Sequence, residues 1–198
     1  YVGIPLALTA LSAGFRVAGF DIDKGRVAQL NAGHCSFKHI DGSLIAKSVT
    51  DGRFTATTDF DGLAGADVII ITVPTPLSKN REPDLSFVEA TAEAIAPRLR
   101  RDHLVVLEST TWPGTTEEVM RPRLERSGLT SGQDFYLAFS PEREDPGNAR
   151  FSTASIPKVV GGEGEAALRY AKAVYDALVV TTVPVSSTRA AEAVKLTE

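Results

Sequence analysis

The chain is 198 residues long with a hydrophobic fraction of 43%, enough for one ordinary domain with its own core, or one domain plus a stub. A formal charge of −4 gives no basic excess, which argues against nucleic acid as a partner, and no apolar run approaches the ~20 residues of a membrane span. The single cysteine, Cys35, excludes an internal disulfide and suits a reducing cytoplasm, and no secretory leader is visible.

Taken in order, the elements alternate between helix and strand, which predicts a mostly parallel sheet with helices on both faces. Val2-Gly3 opens an apolar helix to about Ala13, stopped by Gly14. Strand Phe15–Phe20 ends on Asp21, and a helix over Lys24–Asn31 follows with Asp23 as N-cap. Gly33–Gly52 reads as a loop plus a short helix, and Phe54–Thr57 as a short strand. The continuous β-branched run Val68–Val73 predicts a buried central strand, ended by Pro74-Thr75-Pro76. After a polar loop, Leu77–Pro83, comes a helix over Leu85–Ala96, capped by Asp84 or by a Ser86/Glu89 capping box. Strand Leu104–Leu107 leads into Glu108–Gly114 and a helix with a second capping box, Thr115/Glu118. Strand Phe135–Phe139, a long loop, strand Lys158–Val160, a helix over Glu165–Leu178 and strand Val180–Val185 follow. Ser186-Ser187 then starts a last helix.

Glycine turn, helix, strand and acid, with Asp21 about 20 residues past the loop, form the second half of a dinucleotide-binding βαβ unit. The first strand and the earlier glycines of that fingerprint are expected before Tyr1. Gly3 lets the backbone approach a pyrophosphate at a helix N-terminus; plain helix–strand packing is the alternative. Asp21 can accept both ribose hydroxyls and would repel a 2′-phosphate, which favours NAD over NADP. Arg26 can lie over the adenine or reach the diphosphate, or simply be solvated.

Ligands in such sheets bind beyond the carboxyl ends of the strands, which draws in Val73, Pro74, Thr75, Thr110, Thr111 and Glu142. Thr110 and Thr111 can bond a nicotinamide ribose or a substrate oxygen, or cap a helix. Glu142 can act as a base or position water, or pair with Arg143. Lys195 lies three residues after Glu192, where an ion pair along the helix is the plain reading. Cys35 reads as a structural residue. His34, His39 and His103 lack ligand spacing, so no metal is expected.

Six strings in order carry a resemblance: Tyr1–Ala7, Phe20–Asp23, Val73–Pro76, Glu108–Thr116, Ser140–Asn148 and Ala191–Leu196. Together they resemble the NAD-binding N-terminal domain of the UDP-glucose/GDP-mannose dehydrogenase family. The Glu-Ser-Thr-Thr-aromatic-Pro-Gly and Ser-Pro-Glu-Arg versions look closest to bacterial UDP-N-acetylglucosamine 6-dehydrogenases. The resemblance implies a Rossmann-type doubly wound α/β domain over residues 1–185, with 186–198 opening a helix toward further domains. It implies a two-step, NAD-dependent oxidation of a sugar C6 hydroxyl to a carboxylate. An aldehyde is trapped by a cysteine, oxidised to a thioester and hydrolysed. That cysteine belongs to a later domain, and Cys35 does not match its motif. By position, Val2 and Gly3 match the phosphate loop, Asp21 and Arg26 the adenosine contacts, and Val73, Pro74 and Thr75 a loop beside the cofactor. Thr110 matches a cofactor contact and Thr111 the threonine that positions water or substrate. Glu142 matches the carboxylate of thioester hydrolysis, and Lys195 the lysine that stabilises an oxyanion.

Two departures matter. Pro146 stands where UDP-glucose members often have a second glutamate, which disfavours that substrate. An asparagine expected four residues after Lys195 falls beyond Glu198, so the chain alone is expected to bind NAD weakly and not to turn over. The expected protein is a cytoplasmic homo-oligomer acting on a UDP-sugar, with UDP-N-acetylglucosamine favoured. The competing sugar nucleotides are UDP-N-acetylmannosamine, UDP-glucose and GDP-mannose. A β-hydroxyacid dehydrogenase shares the fold but takes one hydride step, and a stand-alone NAD-binding module is the non-enzymatic rival.

Overall fold

A computed structural model describes residues 2–35, 42–77, 83–142 and 157–196. Tyr1, His39, Arg143 and Pro146, most of the loop over 78–82 and the end of the chain at 197–198 lie outside the described residues. The chain divides into two compact units, Tyr1–Phe60 and Asp61–Glu198.

In the first unit, α1 (Gly3–Ser12), β1 (Val17–Phe20), α2 (Lys24–Asn31), α3 (Ser43–Thr50) and β2 (Phe54–Thr57) follow in order. β1 and β2 pair in parallel, Val17 opposite Phe54 and Phe20 opposite Thr57. The helix stop expected at Gly14 is present: its φ is +92°, and Phe15 N–H reaches back to the carbonyl of Ala10, which consumes the last free carbonyls of α1. The Asp23 cap is also present, its Oδ1 accepting from the N–H groups of Gly25 and Arg26 at 2.8 and 3.0 Å. Leu11, Leu30, Ile45, Phe54 and Ala56 form the core. Asn31 works as a surrogate strand there. Its amide donates to the Ala56 carbonyl and accepts from the Ala56 N–H, both at 2.8 Å, which satisfies backbone groups of β2 that a ladder would otherwise pair. Cys35 is half-buried against this core.

The second unit holds β3 (Val68–Ile71), α4 (Ser86–Ile95), β4 (Leu104–Leu107), α5 (Arg121–Leu124), β5 (Tyr136–Phe139), β6 (Lys158–Gly162), α6 (Gly164–Leu178), β7 (Thr182–Val185) and α7 (Thr188–Leu196). Its sheet has the order β3-β4-β5-β6-β7, parallel except where β6 runs against β5. All four residues of β4 are buried, as an apolar strand covered on both faces should be. Pro184 is tolerated because β7 is the last strand of the sheet. α6 turns Ala167, Ala171, Tyr175 and Leu178 inward at helical spacing.

Gly161 and Gly162 decide how closely the helices approach β6. A Cβ on Gly161 would stand 2.2 Å from the Ser187 carbonyl oxygen, and one on Gly162 would stand 2.2 Å from the Leu168 nitrogen. Successive strand residues face opposite sides, so the pair admits α7 on one face and α6 on the other.

Neither expected capping box forms. Ser86 N–H bonds to Asp84 Oδ1 at 2.9 Å while Glu89 pairs with Arg123, so of the two expected caps it is Asp84 that engages the start of the helix. The segment Thr115–Met120 is a π-helical stretch entered through left-handed Gly114. Thr115 Oγ1 donates to the Trp112 carbonyl at 2.9 Å, and Glu118 pairs with Arg189. The strands expected over Phe15–Phe20, Val68–Val73, Phe135–Phe139 and Val180–Val185 are shorter than expected, running over Val17–Phe20, Val68–Ile71, Tyr136–Phe139 and Thr182–Val185.

Candidate active site

In the first unit, α1 and β1 are joined by a short reversal, which brings the start of the helix and the end of the strand to one end of the unit. Val2 precedes α1 without a side-chain cap, and the first turn carries no acid. The N–H groups there keep their positive end for an anion. Asp21 follows β1, and its carboxylate is 28% exposed. Oδ1 accepts from the Asp23 N–H at 2.9 Å and Oδ2 from Arg26 Nη1 at 2.7 Å. The backbone turn thus orients the acid, and Arg26 lies on that acid rather than standing free. A glycine-started helix beside an oriented, accessible acid fits a dinucleotide's diphosphate and ribose.

In the second unit, the ends of β3 and β4 are tied together by Ser109, whose hydroxyl donates to the Val73 carbonyl at 2.7 Å. Pro74 and Thr110 are exposed, and Thr75 is half-buried. Thr111 is buried, and its hydroxyl bonds to that of Thr115, which braces the turn into the π-helical stretch.

The direction of β6 builds the rest. Because β6 is antiparallel to β5, its first residue, not its last, lies at the carboxyl end of β5. Ala138 faces Gly162 and Phe139 faces Gly161. Extending that register sets position 142 opposite position 158, and directly opposed residues share a face. Lys158 Nζ accordingly donates to Glu142 Oε2 at 2.6 Å. The same ammonium lies 3.2 Å from Glu108 Oε2, an ion pair without hydrogen-bond geometry. The side chains of Lys158, Glu108 and Glu142 are 4%, 0% and 10% exposed.

Tyr175 hydroxyl donates to Glu108 Oε1 from α6. Burial, followed by the neighbouring Glu142 charge, pushes the Glu108 carboxyl up to about 7 against the pull of Lys158. Burial draws Lys158 down, but Glu108 and Glu142 more than offset it and hold the ammonium above its ordinary range.

α7 brackets the site. Lys195 Nζ donates to the Glu142 carbonyl at 2.8 Å. Glu192, fully buried, accepts from Gly114 N–H at 2.5 Å and from Thr116 N–H and hydroxyl at 2.8 and 2.6 Å. Burial raises the Glu192 carboxyl even though these donors favour its anion. The ion pair expected between Glu192 and Lys195 is therefore replaced. The acid holds the loop after β4, and the lysine holds the segment after β5. The expected alternative partner of Glu142, Arg143, lies outside the described residues.

Sequence reasoning brought together Glu142 and Lys195, and it missed Lys158, Glu108, Tyr175 and the work of Glu192. One signal was available. A lysine that opens the apolar run Lys-Val-Val-Gly-Gly must find a buried partner.

The mostly parallel sheet of the second unit and the glycine-started helix and acid of the first have the character of a Rossmann-type dinucleotide-binding domain. The chain belongs to the UDP-glucose/GDP-mannose dehydrogenase family, whose NAD binding domain matches residues 1–179. NAD is therefore the cofactor of this domain. The chain is 35% identical to the UDP-N-acetyl-D-glucosamine 6-dehydrogenase of Pseudomonas aeruginosa, over 100% of this chain and 46% of that protein. It is 36% identical to the UDP-N-acetyl-D-mannosamine dehydrogenase of Pyrococcus horikoshii, over 100% of this chain and 47% of that protein. The solved UDP-D-ManNAc dehydrogenase from P. horikoshii superposes with a TM-score of 0.89 over 99% of this chain and 47% of that one, at 35% identity. A ternary complex of GDP-mannose dehydrogenase from P. aeruginosa gives 0.90 over 100% of this chain and 47% of that one, at 29% identity. The chain thus spans about half the length of the relatives it matches. Among the described residues, no helix is long and apolar enough to cross a membrane.

Proposed function

We propose that this chain is the cofactor-binding part of a nucleotide-sugar 6-dehydrogenase that oxidises the C6 hydroxyl of a UDP-sugar to the carboxylate in two steps. Residues 1–185 form the NAD-binding domain in this reading, and 186–198 open the helix toward the remainder of the enzyme. Bound NAD accepts the hydride at each step. Val2 and Gly3 at the start of α1 receive the diphosphate, and Asp21, steadied by Arg26, receives the adenosine ribose. Val73, Pro74, Thr75 and Thr110 line the cofactor side. Thr111 positions substrate or water, Glu142 serves as the base for thioester hydrolysis, and Lys195 supplies fixed positive charge to a developing oxyanion.

One observation carries this reading. Lys195 Nζ donates to the Glu142 carbonyl while Lys158 Nζ donates to the Glu142 carboxylate, so a candidate base and a cation share one strand end. The thiol of the reaction is not assigned to Cys35, which packs in the core of the first unit. UDP-N-acetylglucosamine is the first substrate to test, with UDP-N-acetylmannosamine next, since similar proteins bear both names. A cytoplasmic homo-oligomer without nucleic-acid partners completes the proposal.

The test is a panel of UDP-N-acetylglucosamine, UDP-N-acetylmannosamine, UDP-glucose and GDP-mannose incubated with the full-length protein and either NAD or NADP. NADH should appear with a UDP-N-acetylhexosamine, and NADP should be a poor acceptor because Asp21 repels its 2′-phosphate. Glu142→Gln should lower kcat by about 100-fold or more, in line with loss of a general base. NADH from a β-hydroxyacid and from none of the sugars would favour the one-step rival. NAD binding with no oxidation of any substrate would favour a binding module.

A further inference from the structure

We infer that Lys158 is a positioning residue for Glu142. Its ammonium, anchored from behind by buried Glu108, fixes the Glu142 carboxylate as an oriented anion at the reacting end of the sheet. The inference rests on the role proposed above for Glu142, and it gives a role to Lys158, which no sequence motif singled out, and to Glu108, which a motif carried without one.

The geometry is a relay of named contacts. Tyr175 hydroxyl holds one oxygen of Glu108. The other oxygen faces Lys158 at 3.2 Å, and Lys158 hydrogen-bonds Glu142 at 2.6 Å. The Tyr175 ring adds a cation–π contact, 5.5 Å from Nζ to the ring centre. Two carboxylates therefore compete for one ammonium in a site with little exposed side-chain surface. Glu142 has the shorter contact with hydrogen-bond geometry, whereas Glu108 is compensated by a neutral donor. Lys195, the other described lysine at the site, bonds the Glu142 carbonyl. The high proton affinity of Glu108 acts in the same direction. Near neutral pH, Glu108 carries a proton part of the time and leaves the ammonium to Glu142.

A buried ion pair can also be a packing feature with little net effect, so the test must read Glu142 itself. Lys158→Met alone would strand two buried carboxylates and endanger the fold. The comparison is therefore made in full-length protein carrying Glu108→Gln, with Lys158 either kept or changed to Met, so that Glu142, the group to be read, is the one carboxylate of the trio that remains. Infrared titration follows the carboxylate band that disappears in Glu142→Gln. Its midpoint should rise by about 1–3 pH units when Lys158 becomes Met, the size expected on losing a contacting opposite charge. Lys158→Arg should restore it. The pH limb of kcat should move with the band, while the Kd for NAD stays unchanged. An unmoved midpoint would overturn the inference. A band that moves while the kcat limb stays would leave the coupling in place and overturn the catalytic role given to Glu142.

Discussion

Glu108 sits at the end of β4 with no exposed side-chain surface, between a tyrosine hydroxyl and a lysine. Such a group links protonation to folding. Its carboxyl titrates at about 7 in the fold, against an ordinary value of 4.5. Below about pH 4.5 both folded and unfolded chains hold the proton, and the group does not oppose folding. Between the two values the unfolded chain releases its proton first, so stability falls as pH rises, and it levels off above about 7. Urea unfolding between pH 4.5 and 8 should show this decline, and Glu108→Gln should flatten it by about 3 kcal/mol across that range. An identical slope in the variant would mean that Glu108 is already ionised at low pH in the fold.

At the scale of elements, α7 connects to both halves of the candidate site. Its Glu192 caps the stretch after Gly114, and its Lys195 reaches the Glu142 carbonyl. Both contacts depend on how deeply the helix settles on β6, which Gly161 permits. Gly161→Ala puts a methyl 2.2 Å from the Ser187 oxygen and 2.9 Å from the Ala191 Cβ. The helix must then move outward. We expect a loss of about 1–3 kcal/mol in stability, as for other overpacked contacts, together with a fall in kcat. Gly65→Ala, where the added methyl meets nothing within 4 Å, is the control. Thermal unfolding and steady-state kinetics on both variants decide the matter, and equal behaviour would remove α7 from the account of the site.

The same elements show what a sequence can carry. Leu104–Leu107 and Lys24–Asn31 were legible to the residue, because an all-apolar strand and a capped helix are local patterns. The direction of β6 was not legible, since Lys-Val-Val-Gly-Gly reads the same in either orientation while its pairing is set by a distant strand. The π-helical stretch after Gly114 was hidden for a related reason. Thr115 and Glu118 have the spacing of a capping box, but the preceding Trp112 carbonyl claims the first side chain and distant Arg189 the second. At the site, Glu142 and Lys195 entered through motifs, whereas Lys158 and Tyr175 have no local pattern and are recognised only by burial.

For the whole molecule, the proposed chemistry draws on two sets of groups. Membership of the family fixes the cofactor, and the chain spans about half the length of the relatives it matches. Within that half the charged groups divide by role. The first unit offers a helix start and an acid suited to a dinucleotide, and the second offers a buried glutamate–lysine relay suited to proton transfer and oxyanion stabilisation. A one-step dehydrogenase of similar fold would have use for the first set and none for a hydrolytic base.

The count of NADH formed per UDP-N-acetylglucosamine consumed by the full-length protein separates these cases most directly. The account predicts two NADH and one uronate per sugar. A single NADH per sugar, with the product left as aldehyde, would contradict it.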